Sequence, residues 1–224
     1  METLLEIQYL TYSYNGKENI INNLNLSILK GEILQITGPN GVGKSTLLKI
    51  LCGLITDEKL KYHATFQGKN IRFNDLRPYI SCVTDIPQLF FQLSGKDNIT
   101  FFKLLWEEND SYQKRVYDMC DMFNIRTFLN KPVDEYSLGT QQKLFLSIIL
   151  SRNSLLYLMD EPFNSLDIHS RESLVEWIHS KNESSHLIVS HIIEEGMQFS
   201  RSIEMKGLNR GNDSQKNIIL HDKQ

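Results

Sequence analysis

A glycine-rich loop between an apolar run and a helix-forming run is the feature that most constrains this chain. Residues 33–37 are typical of a buried strand, and the loop after them matches the pattern G-x-x-x-x-G-K-[ST]. Glycines let backbone N–H groups turn inward around phosphate oxygens, and the N-terminus of the following helix attracts anions. The segment therefore predicts a nucleotide-phosphate site, formed by Gly38, Pro39, Asn40, Gly41, Val42, Gly43, Lys44, Ser45 and Thr46.

Two residues of this loop have chemical roles that the pattern predicts. Lys44 is expected to reach the β- and γ-phosphates, and the Ser45 hydroxyl is expected to bind Mg²⁺. The alternative is a glycine-rich turn that matches by accident, which average residue frequencies make an event on the order of one in a hundred. The loop alone does not separate transport ATPases from kinases, GTPases or recombinases.

A second apolar run, residues 155–159, ends in two carboxylates, Asp160 and Glu161. A nucleotide-hydrolysing enzyme with a phosphate loop needs a carboxylate here to hold the Mg²⁺ shell, and Asp160 suits that role. Glu161 lies one residue further on, where a carboxylate can polarise the attacking water. The alternative is that both acids only cap the turn before Pro162. The phosphate loop upstream favours the catalytic interpretation.

Strand-like and helix-like segments alternate along most of the chain, which predicts an α/β fold with a mainly parallel core sheet. Turn signals such as Asn15-Gly16, and a hairpin over residues 61–67 and 70–73, predict an N-terminal antiparallel β subdomain. The segment of about 88–152 contains only helical patterns and predicts an inserted helical subdomain. We treat 1–224 as a single domain with a loosely ordered tail at about 209–224, in which residues 218–220 are a candidate strand.

Composition excludes several classes of protein. The 224 residues carry a net charge of −3, so we expect no nucleic-acid partner. The sequence contains neither a signal-peptide pattern at its start nor an apolar run long enough to span a bilayer. Cys52, Cys82 and Cys120 show no disulfide framework and no metal-ligand spacing. We therefore expect no disulfide partner and a reducing cytosolic environment.

Further segments, in a fixed order, carry a resemblance to a known family. Residues 136–143 resemble the signature segment of ABC ATPases in its S-x-G-x-x-Q-[KR] form. Residues 165–167 resemble the D-loop of that family, and Ser190-His191 resembles its switch histidine. Tyr14 is similar to the aromatic residue on which adenine stacks, although Tyr9 and Tyr12 lie close by. The resemblance covers about residues 4–205.

The resemblance implies a P-loop NTPase of ABC type that binds and hydrolyses ATP with Mg²⁺. It assigns catalytic roles to Lys44, Glu161 and His191, and it implies a head-to-tail dimer with a second ATP-binding subunit, expected to be another copy of this chain. The residues implied to contact nucleotide from a neighbouring copy are Ser137, Gly139, Thr140 and Asp167.

A separate transmembrane permease on another chain is the further partner that the resemblance implies. It would bind the helical subdomain and the loop of residues 85–93, and it would hold the chain at the inner face of the cell membrane. Phe90 and Phe91 in that loop are either buried core residues or part of the contact. The signature segment resembles that of small drug, peptide and bacteriocin-immunity exporters, which favours export.

One position departs from the family pattern. The family has a glutamine after the strand that covers residues 79–84 here, and in register that position is Asp85. A carboxylate can still contact Mg²⁺ or water, but it cannot donate a hydrogen bond. We assign Asp85 a catalytic and metal-binding role, with Gln88 as the alternative.

Two other functions stay open from the sequence. One is a soluble ABC-type ATPase without a transport role, such as an iron–sulfur assembly factor. The other is an unrelated nucleotide-dependent kinase, against which residues 137–143 and His191 argue. The transported substrate is not encoded in these motifs, because the residues that select it belong to the permease.

Overall fold

The computed structural model describes residues 2–16, 18–191, 194–206 and, by backbone alone, 220–223. Its strands are β1 (Thr3–Tyr12), β2 (Ile21–Leu29), β3 (Ile33–Thr37), β4 (Lys61–Phe66), β5 (Lys69–Asn70), β6 (Ile80–Val83), β7 (Leu156–Asp160), β8 (Ser185–Val189), β9 (Arg201–Met205) and β10 (Leu220–Lys223). Its α-helices are α1 (Lys44–Leu51), α2 (Gly95–Leu105), α3 (Asp110–Met122), α4 (Leu138–Leu150) and α5 (Ile168–Ser180).

A six-stranded sheet in the order β10-β9-β3-β8-β7-β6 forms the core. The five strands from β9 to β6 run parallel, and β10 is antiparallel to β9. Every residue of β7 and β8 is buried, as expected for central parallel strands covered on both faces. The predicted mainly parallel α/β core is confirmed.

A second sheet, in the order β2-β1-β4-β5, is antiparallel throughout. It confirms the predicted antiparallel β subdomain. The predicted hairpin is wrong in its second strand, because β5 ends at Asn70 and a 3-10 turn begins at Phe73. Phe73 is buried, and its ring stacks on that of Tyr62 with centroids 4.1 Å apart. Phe73 therefore belongs to the turn and the core, and not to the hairpin.

Helices α2, α3 and α4 form a layer inside the segment for which the sequence predicts a helical subdomain. Ser94 caps α2, since its hydroxyl accepts a hydrogen bond from the Asp97 backbone N–H at 3.1 Å. Asn98 is fully buried, and its carboxamide bonds both the N–H and the carbonyl of Phe90 at 2.8 and 3.0 Å. These bonds fix the loop that precedes α2. Of the predicted tail, residues 209–219 and 224 lie outside the described residues, so the candidate strand can be compared only from Leu220.

Cys52 and Cys82 form a disulfide, so the expectation that no cysteine has a disulfide partner is wrong. Cys52 is the C-cap residue of α1, Cys82 lies on β6, and their Cα atoms are 6.4 Å apart. The pair is created by the packing of α1 beside the sheet, which spacing along the chain does not encode. Cys120 is a buried free thiol whose pKa is raised to about 12 by burial.

Breaking this disulfide should destabilise the fold. The bond closes a loop with a sequence separation of 30 residues, and cross-links of that span contribute about 3 to 4 kcal/mol. Cys52→Ser should lower the free energy of unfolding by about that amount in denaturant titrations without reductant. Alkylation of protein unfolded without reductant should label Cys120 alone. Labelling of all three cysteines in that sample would contradict the disulfide.

Candidate functional site

Four neighbouring parallel strands end at one pocket of about 490 Å³. β3 leads into the glycine loop, β6 leads to Asp85, β7 ends at Asp160 and Glu161, and β8 leads to His191. Ligands of open α/β sheets bind at this edge, beyond the carboxyl ends of the strands. The pocket is lined by Ile20, Asn40, Gly41, Gly43, Lys44, Ser45, Thr46, Asp85, Asp160, Glu161, Asn164 and His191.

The glycine loop lies against the end of β9. Gly38 has a φ of +143°, and a Cβ atom placed on it would be 2.3 Å from the Met205 carbonyl oxygen. No other residue fits there without moving the backbone. Inside the loop, the Lys44 ammonium donates to the carbonyl oxygens of Gly38 and Pro39 at 2.7 and 3.0 Å. The loop therefore folds around Lys44, which is the first residue of α1.

Lys44 carries a buried positive charge at the N-terminus of α1. Burial lowers its pKa, while the carboxylates of Glu161 and Asp160 oppose that change. The lysine thus adds to the partial positive charge of the helix end, in the place where an anion would bind.

The other residues of the predicted phosphate site lie around this centre. Asn40, Gly41, Gly43 and Thr46 line the pocket, whereas Pro39 acts through its carbonyl and Val42 is buried beneath the loop. Tyr14 lies at the rim, half exposed, with its hydroxyl 3.3 Å from that of Thr46. Its ring meets that of Tyr12 edge-on, with ring centroids 5.0 Å apart.

Asp160 is a buried carboxylate beside the Ser45 hydroxyl. Burial raises its pKa, the hydrogen bond from Ser45 opposes that rise, and the nearby charges of Asp85 and Glu161 add to it. Within the described part of the chain, no three His, Cys, Asp or Glu side chains are grouped to hold a metal by themselves. One hydroxyl and one or two carboxylates are, however, the protein ligands that suit Mg²⁺ when phosphate oxygens and water complete its shell.

Glu161 and His191 face each other across the ends of β7 and β8. The imidazole Nε2 lies 3.4 Å from one carboxylate oxygen of Glu161, and the His191 backbone N–H donates to the other at 3.3 Å. The Glu161 N–H donates to the Val189 carbonyl at 2.8 Å. Glu161 has a φ of +48°, a left-handed conformation that non-glycine residues adopt at a cost. The fold thus holds this carboxylate in one orientation.

Asp85, and not Gln88, lines the pocket at the strand ends. The Gln88 amide donates to the Ile86 carbonyl at 3.1 Å and lines a different cavity, between the core sheet and the helical layer. Of the two alternatives, only Asp85 reaches this pocket, and its role as the counterpart of the family's glutamine stays a prediction.

The signature segment and the D-loop lie outside the pocket of their own chain. Ser137 caps α4, since its hydroxyl accepts from the Thr140 N–H at 3.2 Å. A Cβ atom on Gly139 would lie 2.7 Å from the Ser165 carbonyl oxygen, so the D-loop backbone packs directly on α4. Asp167 caps α5 and pairs with Lys143. None of the predicted nucleotide contacts Ser137, Gly139, Thr140 and Asp167 lines the pocket of its own chain.

Two residues that line the pocket escaped the sequence analysis. Ile20 precedes β2, and its side chain lies beside Gly43, 3.1 Å from a Cβ atom built there. Asn164 follows Glu161 by three residues, and its N–H donates to the Glu161 carbonyl at 3.1 Å. Asn164 could have been predicted from the sequence, because it lies close to the acidic strand end. Ile20 reaches the loop only through tertiary packing.

Comparison with known proteins decides the family. The family model described as ABC transporter matches residues 21–164. The chain belongs to this family. It is 36% identical over 194 residues to the lantibiotic transport ATP-binding protein SrtF of Streptococcus pyogenes, covering 86% of this chain and 82% of SrtF. It is 27% identical over 194 residues to the SkfA peptide export ATP-binding protein SkfE of Bacillus subtilis, covering 85% and 80%.

Relatives named for import and solved structures also agree with this family assignment. ATP-binding proteins named for import also match, at 26% to 31% identity. The dimeric structure of the ABC transporter cassette MJ0796 superposes with a TM-score of 0.79 at 22% identity, covering 91% of this chain and 94% of that one. The predicted ABC-type fold, ATP binding and ATP hydrolysis of a transporter's ATP-binding subunit are confirmed.

Among the described residues of this ABC protein, no helix is both long enough and apolar enough to cross a membrane.

The register of Asp85 can be tested by comparing two neighbouring variants. Asp85→Ala should weaken Mg²⁺-dependent ATP binding on the order of fivefold, because it removes a hard oxygen ligand or its water contact. Gln88→Ala should leave that affinity unchanged, since Gln88 lines another cavity. Titration with a fluorescent ATP analogue, with and without Mg²⁺, measures both. Loss of affinity in Gln88→Ala alone would reverse the assignment.

Proposed function

We propose that the chain is the ATPase subunit of an ABC exporter, working as a homodimer beneath a separate transmembrane permease. The observation that carries this proposal is the geometry of one incomplete site. Lys44, Asp160 and Glu161 meet at one pocket, while the cap of α4 stands outside it. The name of SkfE favours export of a peptide, and the name of SrtF refers to lantibiotic transport without a direction.

The chemistry proposed for the pocket is in-line attack of water on the γ-phosphorus of ATP. The water oxygen bonds to phosphorus, the bond to the bridging oxygen breaks, and ADP leaves. Glu161, oriented by His191, polarises the water and accepts its proton. Lys44 and the N–H groups of the glycine loop stabilise charge on the phosphate oxygens.

Mg²⁺ fits the oxygen donors in this pocket, and we propose that Ser45 and Asp160 hold it with Asp85 alongside. When bound, it would neutralise charge between the β- and γ-phosphates. The carboxylates themselves explain the need for a cation, because Asp160 already lies in the field of two further acids. Each protein ligand is a hydroxyl or carboxylate oxygen, the donor type that Mg²⁺ prefers.

The second half of the nucleotide site is proposed to come from the cap of α4 on a neighbouring copy. Ser137 caps this 13-residue helix and Gly139 lies in its first turn, so the two residues offer a hydroxyl and backbone N–H groups to an anion. Leu138 and Ile168 flank this region and are 73% and 77% exposed. A neighbouring copy bound at the cap would cover both side chains.

The role of Glu161 can be tested by removing its charge. Glu161→Gln should keep ATP binding, abolish turnover and accumulate an ATP-bound dimer, because the phosphate bridge between copies is not removed. Lys44→Met serves as the control, since it should lose ATP binding and remain monomeric. Phosphate release and sedimentation velocity report both quantities. Normal steady-state hydrolysis in Glu161→Gln would refute the assigned role.

The permease is proposed to bind a groove of about 760 Å³ between the core sheet and the helical layer. Its lining is mainly apolar and includes Leu54, Phe102, Leu105, Trp106 and Phe145, with Arg77, Arg152 and Glu108 among them. Phe90 and Phe91 are 45% and 41% exposed, which supports the contact interpretation over a core role. A short amphipathic helix on the cytoplasmic side of the permease fits such a groove, and it would place the chain peripherally at the inner membrane face.

Two adjacent residues of α2 give a matched test of this groove. Leu105 lines it, whereas Leu104 is 71% exposed and does not. Leu105→Glu should abolish copurification with a polytopic membrane protein from the native host, because it buries a charge in the contact. Leu104→Glu should leave it intact. Recovery of the wild-type protein only in a soluble complex would favour an assembly ATPase instead.

A further inference from the structure

Asp167 uses both carboxylate oxygens within its own chain. Its Oδ1 accepts from the Ser170 N–H at 2.9 Å and from the Ser170 hydroxyl at 3.0 Å, which caps α5. Its Oδ2 accepts from the Lys143 ammonium. The hydrogen bond from Lys143, followed by the N–H of Ser170, lowers the pKa of Asp167. The carboxylate is therefore a fixed junction between α4 and α5.

Lys143 lies on the same face of α4 as Gly139. The two residues are four positions apart, and residues at this spacing are neighbours on a helix surface. Gly139 lets the Ser165 carbonyl approach α4, as the 2.7 Å distance to a built Cβ atom shows. Ser165 has a φ of +63°, so this turn is held in a left-handed conformation. One backbone contact and one ion pair thus fasten residues 165–167 to the first turns of α4.

The same turn is also attached to the catalytic strand. The Asn164 N–H donates to the Glu161 carbonyl at 3.1 Å, so the turn starts at the proposed water-polarising residue. At its other end, α4 begins at the Ser137 cap. Lys143 therefore connects two parts of the chain. One is the turn that begins at Glu161 in the chain's own pocket, and the other is the helix whose cap is proposed to serve a neighbouring copy.

We propose that Lys143 is a positioning residue that orients the Ser137–Thr140 cap relative to the 165–167 turn, so that both meet the neighbouring copy as one surface. This inference rests on the proposed dimer. Lys143 does not line the pocket, so its contribution acts through Asp167 and α4 and not through the chain's own nucleotide. Its side chain is only 14% exposed, and the pair is shielded on the lysine side.

ATP-driven dimerisation in the Glu161→Gln background separates this role from a structural one. Lys143→Met should weaken dimerisation with Mg-ATP roughly threefold to tenfold, because each of two equivalent sites loses a partly exposed ion pair. ATP affinity at protein concentrations that keep the chain monomeric should stay unchanged. Lys143→Arg should restore dimerisation, since it keeps the charge. Sedimentation velocity and equilibrium nucleotide titration measure the two quantities.

A double-variant cycle identifies the partner of Lys143. Asp167→Asn keeps an oxygen for the α5 cap but loses the charge, so adding Lys143→Met to it should cause little further loss. Ser170→Ala is the matched control, because it removes a bond to Oδ1 and leaves the ion pair in place. It should reduce stability and leave dimerisation unchanged.

Three results would overturn the inference: normal dimerisation of Lys143→Met, an equal loss of monomeric ATP affinity, or additive losses in the double variant. Failure of the Glu161→Gln parent to dimerise with Mg-ATP would instead remove the proposed dimer itself, and the role of Lys143 with it.

Discussion

Parallel pairing of β3, β8, β7 and β6 is the constraint on which the rest of this structure depends. Because these strands run in one direction, their carboxyl ends place the glycine loop, Asp85, the Asp160-Glu161 pair and His191 at one edge. A slip of one residue in β7 would turn Asp160 away from Ser45. The absence of a side chain at Gly38 then lets the loop lie on the end of β9.

Charge balance links this geometry to the chemistry of ATP. Three carboxylates line the pocket. The Lys44 ammonium also lines it and donates to two carbonyl oxygens of the loop. An added triphosphate would bring more negative charge, so the proposed Mg²⁺ supplies what Lys44 and the α1 N-terminus do not. Glu161 is held by its left-handed backbone and by His191, so the proposed attacking water would meet a carboxylate of fixed orientation.

The sequence predicted the parts of the fold and site that depend on local pattern. The strand before Gly38 and the acidic end of β7 are encoded within a few residues, and each lies where expected. The Cys52–Cys82 bond, the early end of β5 and the place of Ile20 depend on contacts between distant segments. The Lys143–Asp167 pair joins two motifs that were recognised separately, and only their packing reveals the link.

A crystal structure with Mg²⁺ and a non-hydrolysable ATP analogue tests the central claim most directly, namely that one chain holds the triphosphate and another completes the site. The account predicts a head-to-tail pair in which the Ser137 hydroxyl and the N–H groups at the start of α4 lie within hydrogen-bond distance of the γ-phosphate held by Lys44 of the other copy. A lone chain with bound nucleotide and its α4 cap facing solvent, matched by a monomer in solution, would contradict it.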